Sequence, residues 1–189
     1  MHEQEDEATV HSLTARYAFG SSGSTDELRF HTLQLEGSIQ LLPGSRLGFR
    51  LPWTSADGPL GTASGVGDLL VILEQRLWTS EDIAVFAQGG VKFASGEDNV
   101  GNLPQAYQPG LGTNDLLFGV SLAYDRWHFA TVYQYSRGRS SNTLTRLRRG
   151  DDIMLRTGYA TDISGLNVGM ELLAVKRLAL SSVLDPAFV

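Results

Sequence analysis

The chain contains no cysteine, which excludes a disulfide framework and any thiolate metal site. It has no long apolar run. No stretch approaches the ~18 residues of a membrane helix, so helical spans are excluded. A membrane barrel is not excluded, because its strands bury only every second residue. Positive charge is in deficit: the formal net charge of −6 argues against a nucleic-acid partner. Proline is scarce at 6 residues and glycine plentiful at 21, a balance that suits many turns and glycines set within strands. The opening MHEQEDEATVH has no apolar centre, so it is not a secretory signal. Either a signal has been removed or the chain starts away from its natural N-terminus.

What is present is alternation. Residues 65–93, GVGDLLVILEQRLWTSEDIAVFAQGGVKF, read as a strand, a short turn and a second strand. Leu69, Val71, Leu73 and Leu77 share one face, and Asp68, Glu74 and Arg76 the other, with Leu70 and Ile72 between them. Ile83, Val85, Ala87, Val91 and Phe93 then oppose Gln88, Gly90 and Lys92. Period two over about ten residues, twice, is a hairpin signal. Strands of soluble proteins mostly run about 5–6 residues, whereas a tilted membrane strand needs about 9–11.

The same pattern marks the rest. The length suits one domain: residues 1–8 are expected to be disordered and 9–189 to form it. Further strands are read at about 9–19, 28–41, 46–52, 115–125, 127–137, 151–161 and from 166, nine in all. Residues 53–66 read as a loop. Beyond residue 173 the pattern blurs, and ELLAVKRLAL also reads as a helix. Connections alternate between long (20–27, 53–66, 94–114, 138–150) and short. Outer-membrane barrels show that alternation.

Period two does not say which face is inside. Long strands, aromatics at strand ends (Trp53, Trp78, Tyr124, Trp127, Tyr135) and a second face rich in Arg, Glu, Gln and Gly favour apolar-out. A soluble lipocalin-like barrel is the reverse arrangement. Single-chain bacterial barrels have an even number of strands, so nine imply part of a ten- or twelve-stranded barrel, with unpaired outer edges on the first and last strands.

A short motif recurs where long loops rejoin strands: Gly65-Val66-Gly67-Asp68-Leu69-Leu70, then Gly110-Leu111-Gly112-Thr113-Asn114-Asp115-Leu116-Leu117, and faintly Gly150-Asp151-Asp152-Ile153. With Lys92-Phe93-Ala94-Ser95-Gly96 closing the hairpin, the chain resembles bacterial outer-membrane transporters of the phenol-degradation MetA-pathway type, over about residues 46–175. Ala94 departs from the proline usual in that pattern. The resemblance implies an outer-membrane barrel, a channel for small molecules, and no settled substrate or catalytic residues.

Candidate chemistry is sparse. Gly65-x-Gly67 precedes a strand and opens no helix, so it is no dinucleotide fingerprint, and no cofactor is expected. His2, His11, His31 and His128 lack ligand spacing, and no metal is expected. Asp68, Asp115 and Asp152 read as turn and strand-start residues before they read as a cation site. Ser121 and His128 lack an acid to complete a relay, and the hairpin register expected for them puts His128 beside Tyr124; an enzyme is not expected.

The polar face carries Arg16, Glu36, Arg46, Arg50, Glu74, Arg76, Lys92, Arg156 and Glu171, read as lumen-lining residues that form salt bridges or set selectivity. Arg137, Arg139, Arg146, Arg148 and Arg149 make the 138–150 region basic, suited to lipopolysaccharide phosphates or to solvent. The resulting expectation is an all-β, antiparallel, up-and-down transmembrane barrel of the bacterial outer membrane. Its partners are lipid, lipopolysaccharide and a small, hydrophobic or aromatic solute that it passes. A non-conducting structural or partner-binding surface barrel is the alternative.

Overall fold

A computed structural model describes residues 11–23, 27–138, 146–180 and 182–184. In chain order the strands are β1 (Ser12–Ser21), β2 (Arg29–Leu42), β3 (Ser45–Gly58), β4 (Gly61–Val66), β5 (Leu69–Thr79), β6 (Ile83–Phe93), β7 (Asp115–Tyr124), β8 (Trp127–Ser136), β9 (Arg146–Arg148), β10 (Asp152–Ile163), β11 (Leu166–Arg177) and β12 (Ser182–Leu184). Nine of them form the wall of one antiparallel sheet, in the order β1-β2-β3-β5-β6-β7-β8-β10-β11, and β4 folds back on β3. The wall is an up-and-down meander, as the alternation predicts. β9 and β12 form a separate two-stranded ribbon.

The sheet curls into a half-barrel. Arg16 on β1, Leu70 on β5, Leu117 on β7 and Glu171 on β11 all line one cavity. Among the described residues β1 pairs only with β2, and β11 only with β10, so the two outer edges do not pair with each other. Among the described residues no helix is long and apolar enough to cross a membrane, which says nothing of crossing by strands.

Short turns gather at one end of the wall and long connections at the other. Ser164 and Gly165 link β10 to β11 with φ of 55° and 82°. Two consecutive positive φ values match the twist of a two-residue hairpin, which is why a glycine sits there. At the opposite end residues 94–114 hold two short 3-10 turns, Val100–Asn102 and Gln105–Tyr107.

Three expectations change. Residues 53–66 are a hairpin rather than a loop: β3 runs on to Gly58 and β4 returns antiparallel, with Ala56 opposite Ala63. Small and polar residues fill it because it needs little apolar surface. Its cluster is Leu28, Ala56, Ala63 and Tyr107, and Tyr107 Oη accepts the backbone N–H of Leu60 at 3.2 Å. Second, ELLAVKRLAL is not a helix. β11 continues to Arg177, in register with β10 down to the Asp152–Arg177 pair. Ladder bonds to β10 override a local pattern that fits both periods. Third, the alternation of β5 is interrupted: a bulge between Arg76 and Trp78 pairs Trp78 with Val85, on the apolar face where Leu77 was read. The 1–8 segment, Arg139 and the side chains of Arg146 and Arg148 lie outside the described residues.

Candidate functional site

The register sorts every strand into the same two faces. Across the middle of the wall Ala87, Val120, Thr131, Leu155 and Ala174 form one row. One residue along, Gln88, Gly119 and Val132 form a row on the other face. Cavities on that second face are lined by residues from β1 through β11, so it is the concave one. The apolar face is convex and bare: Leu13, Leu35, Phe118, Val120, Leu155 and Met170 are all exposed.

Aromatic rings bound the convex face at both ends. Trp78, Tyr124 and Trp127 lie by the short turns, where Trp127 meets Tyr159 with ring centroids 4.9 Å apart. Trp53 and Tyr135 lie toward the long connections, where Trp53 shares its end of the wall with Tyr17, Phe19 and His31, whose rings cluster around a 2.6 Å Tyr17 Oη–His31 Nδ1 hydrogen bond. From Leu116 to Tyr124 is eight residue steps along β7. That is about 27 Å of strand, or roughly 20 Å of height at a tilt of ~40°, near the ~25 Å apolar band of an outer-membrane barrel.

The concave face gathers most of the charged candidates into pairs. Glu36 accepts Arg50 Nε at 2.8 Å and Gln34 Nε2 at 2.6 Å, with Arg16 at 3.3 Å. Glu74 accepts Arg46 Nη2 at 2.6 Å and Gln88 Nε2 at 2.7 Å. Arg156 pairs with Glu171 on the neighbouring strand. The strands dictate these pairs, because Glu36 stands opposite Arg50, and Arg46 opposite Glu74. Arg76 stands apart. It lies against the Gly44 turn, where its backbone N–H donates to Gly44 O at 2.7 Å.

Lys92 also stands apart, in a buried cluster at the mouth. Its Nζ lies 2.6 Å from Asp115 Oδ2, 3.6 Å from Asp68 Oδ2 and 3.0 Å from Thr113 Oγ1. Asp115 has no exposed surface and also accepts Gln134 Nε2 at 2.7 Å, while its Oδ1 has no hydrogen-bond partner among the described residues. Asp68 accepts backbone N–H groups of Gly96 at 3.1 Å and Leu111 at 3.0 Å. A lysine shared by two carboxylates offsets much of the charge that burial would otherwise penalise.

The recurring Gly motif belongs to this cluster. A Cβ on Gly96 would lie 2.6 Å from the Gly67 carbonyl carbon, and one on Gly110 would lie 2.9 Å from Gly96 Cα. Three backbones therefore touch where side chains would not fit. Asp68 bonds across them, tying residues 96–111 to the start of β5. The third aspartate, Asp152, accepts Arg149 Nη2 at 2.7 Å and Arg177 Nε at 3.0 Å. None of the three aspartates adopts the purely local role expected of a turn residue: their partners come mostly from distant segments. Arg137 joins Asn114 through its backbone N–H at 3.3 Å.

Ser121 and His128 both face inward, but the register puts His128 opposite Ala123 and Ser121 opposite Ala130. His128 thus stands beside Ala123 rather than Tyr124, because the two-residue turn pairs Tyr124 with Trp127. Ser121 Oγ is buried without a hydrogen-bond partner among the described residues. In the same turn Arg126 donates to Thr161 Oγ1 at 2.8 Å, and a hydrogen bond with Tyr159 helps hold its guanidinium pKa above the usual arginine value. Among the described residues no three His, Cys, Asp or Glu side chains converge as metal ligands. The alternation placed Leu70 and Ile72 on the concave face, but the rest of its apolar half was passed over. Leu70, Ile72, Leu117, Val132, Met154 and Leu173 line the same ≈ 570 Å³ cavity as Arg16, Arg50 and Arg156. Parity with the charged residues was the signal that could have found them.

Neither a protein-family model nor a curated protein matches the chain.

Proposed function

We propose that this chain forms the wall of a β-barrel embedded in the bacterial outer membrane, and that the barrel passes small solutes through its lumen. The observation that carries the reading is the orientation of the two faces. A bare apolar convex face lies between two aromatic bands, and the ion pairs stand on the concave side. In water such a face would be a very large exposed apolar patch, far beyond what soluble monomers tolerate. In lipid it is the normal outside of a barrel, and the aromatics sit at the headgroups.

A lipocalin-like soluble barrel needs the opposite orientation, so the face geometry weighs against it. The resemblance to phenol-degradation transporters points the same way as the lumen does. Lipid cannot hydrogen-bond an open sheet edge, and each unpaired backbone group there costs several kcal/mol. The reading therefore requires a strand between the outer edges of β1 and β11, which makes ten the smallest even count. The cavity of ≈ 570 Å³ on the concave face, lined by half-exposed arginines, favours a solute path over a purely structural barrel.

Planar-bilayer conductance of the refolded full-length chain tests the proposal. Steady single-channel steps in potassium chloride are expected. A folded, inserted chain that never conducts would leave a surface or structural barrel as the better reading.

A further inference from the structure

The paired charges of the concave face are not equally accessible. Arg16, Arg46, Arg50 and Arg156 keep 66, 54, 49 and 51% of their side-chain surface exposed. Glu36 and Glu74 keep 18 and 17%, sunk between strands under the guanidiniums they hold. Glu171, at 50%, matches its partner Arg156. A solute in the cavity therefore meets more guanidinium than carboxylate, although the formal charges nearly cancel. Guanidinium edges left open by a monodentate pair can still take a second carboxylate in fork geometry.

The same cavity has an aliphatic side. Leu117, Val132, Met154 and Leu173 come from β7, β8, β10 and β11, and Leu70 and Ile72 from β5. Leu173 is 58% exposed although it faces inward. Aliphatic surface facing water inside a lumen is unfavourable until something apolar covers it. A volume of ≈ 570 Å³ lies within the range of small-molecule sites.

We infer that the lumen takes small organic anions, with a carboxylate at the Arg16–Arg50–Arg156 side and an apolar body against the Leu117–Val132–Met154–Leu173 side. The inference rests on the reading of the concave face as a lumen, and it narrows that reading to a substrate class. A cation of the same shape would find Glu36 and Glu74 covered and only Glu171 half open, beside the guanidinium of Arg156. A small hydrophilic anion would leave the aliphatic side wet.

Two measurements keep this inference separable from conduction. Bilayer conductance in potassium chloride reports the pore. Calorimetric binding of benzoate, benzylammonium and acetate to the full chain folded in detergent, with chain-free micelles subtracted, reports the class. Benzoate is expected to bind about tenfold or more tightly than either other probe, a difference of ~1.4 kcal/mol. The double variant Arg156→Gln/Glu171→Gln removes one ion pair without leaving an orphaned charge, and should weaken benzoate by about tenfold. Benzylammonium bound as well as benzoate, acetate equal to benzoate, or a double variant with unchanged affinity would each overturn the inference. Selective benzoate binding by a chain that does not conduct would support it while removing the channel.

Discussion

Arginine placed at Val120 asks directly what surrounds the convex face. Val120 is 47% exposed, midway along β7, four residues from Leu116 and four from Tyr124. At about 3.4 Å per residue and a tilt of ~40°, the nearest end of the apolar band is roughly 10 Å away in height. Its neighbours in the row are Ala87, Thr131 and Leu155, so no carboxylate can pair with the new charge. In lipid, arginine near the midplane of a barrel costs about 2–4 kcal/mol. In water, an exposed substitution of this kind stays within about 0.5 kcal/mol. The two environments are thus separated by several times the error of the measurement. Urea titration of folding in phospholipid vesicles supplies the number. Thr14→Arg is the control: Thr14 is exposed on the concave face opposite Glu36, which can pair with the introduced charge. Gly90 and Ser121 are inward too but make poor controls. A Cβ at Gly90 would lie 2.9 Å from Val71 O, and Ser121 is buried. If Val120→Arg folds within about 0.5 kcal/mol of the parent, or Thr14→Arg is the more damaging of the two, the convex face does not face lipid.

Three further outcomes are expected. Lys92→Met leaves Asp115 and Asp68 buried without their cation and should cost about 3–5 kcal/mol in the same titration, much of it restored by adding Asp115→Asn. Gly96→Ala forces a Cβ to within 2.6 Å of Gly67 and should lose about 1–3 kcal/mol while exposing residues 97–109 to limited proteolysis. Gly89→Ala, with nothing within 4 Å, should do neither. Replacing Arg16, Arg50 and Arg156 together by Gln should shift bilayer reversal potentials toward cations, because fixed positive charge in a narrow pore attracts anions; an unmoved potential would make these residues structural.

The wall was legible because its strands are long and strictly alternating, so each could be found alone. The face pairings of β7, β8, β10 and β11 follow from residue parity and two-residue turns. The β3–β4 hairpin was not legible. Thr54, Ser55, Ala56, Thr62, Ala63 and Ser64 offer no apolar stripe, and their pairing depends on Leu28 and Tyr107 arriving from elsewhere in the chain. The bulge at Leu77 was hidden for a similar reason. Period two assumes that no residue is added, and an added residue costs nothing recognisable in composition. Of the nine charged candidates, parity placed all on one face. It could not show that Arg76 would end at the Gly44 turn or that Lys92 would be enclosed, because both depend on loops packing back on the wall.

The Gly-x-Gly-Asp-Leu repeat shows how one motif can be visible without being interpretable. Read alone it suggests a strand start, and Asp68 a residue that caps its own turn. In the fold the aspartate reaches Gly96 and Leu111, which are 28 and 43 residues away, and the glycines let three backbones touch. Such close approach has no periodic signature, because it is a relation between segments. It also separates two parts of the wall by rigidity. Residues 96–111 are tied to β5 by buried hydrogen bonds and by the Lys92 cluster, so local opening there breaks several interactions at once. The Arg–Glu pairs deeper on the concave face keep their guanidiniums half exposed or more, and each contributes at most about 1 kcal/mol. Side chains held that weakly can exchange partners with the organic anion proposed above, whereas the Asp68–Lys92–Asp115 cluster cannot rearrange without losing its fold. The division predicts where substitutions act: at Asp68, Lys92 or Gly96 on folding, and at Arg16, Arg50 or Arg156 on solute.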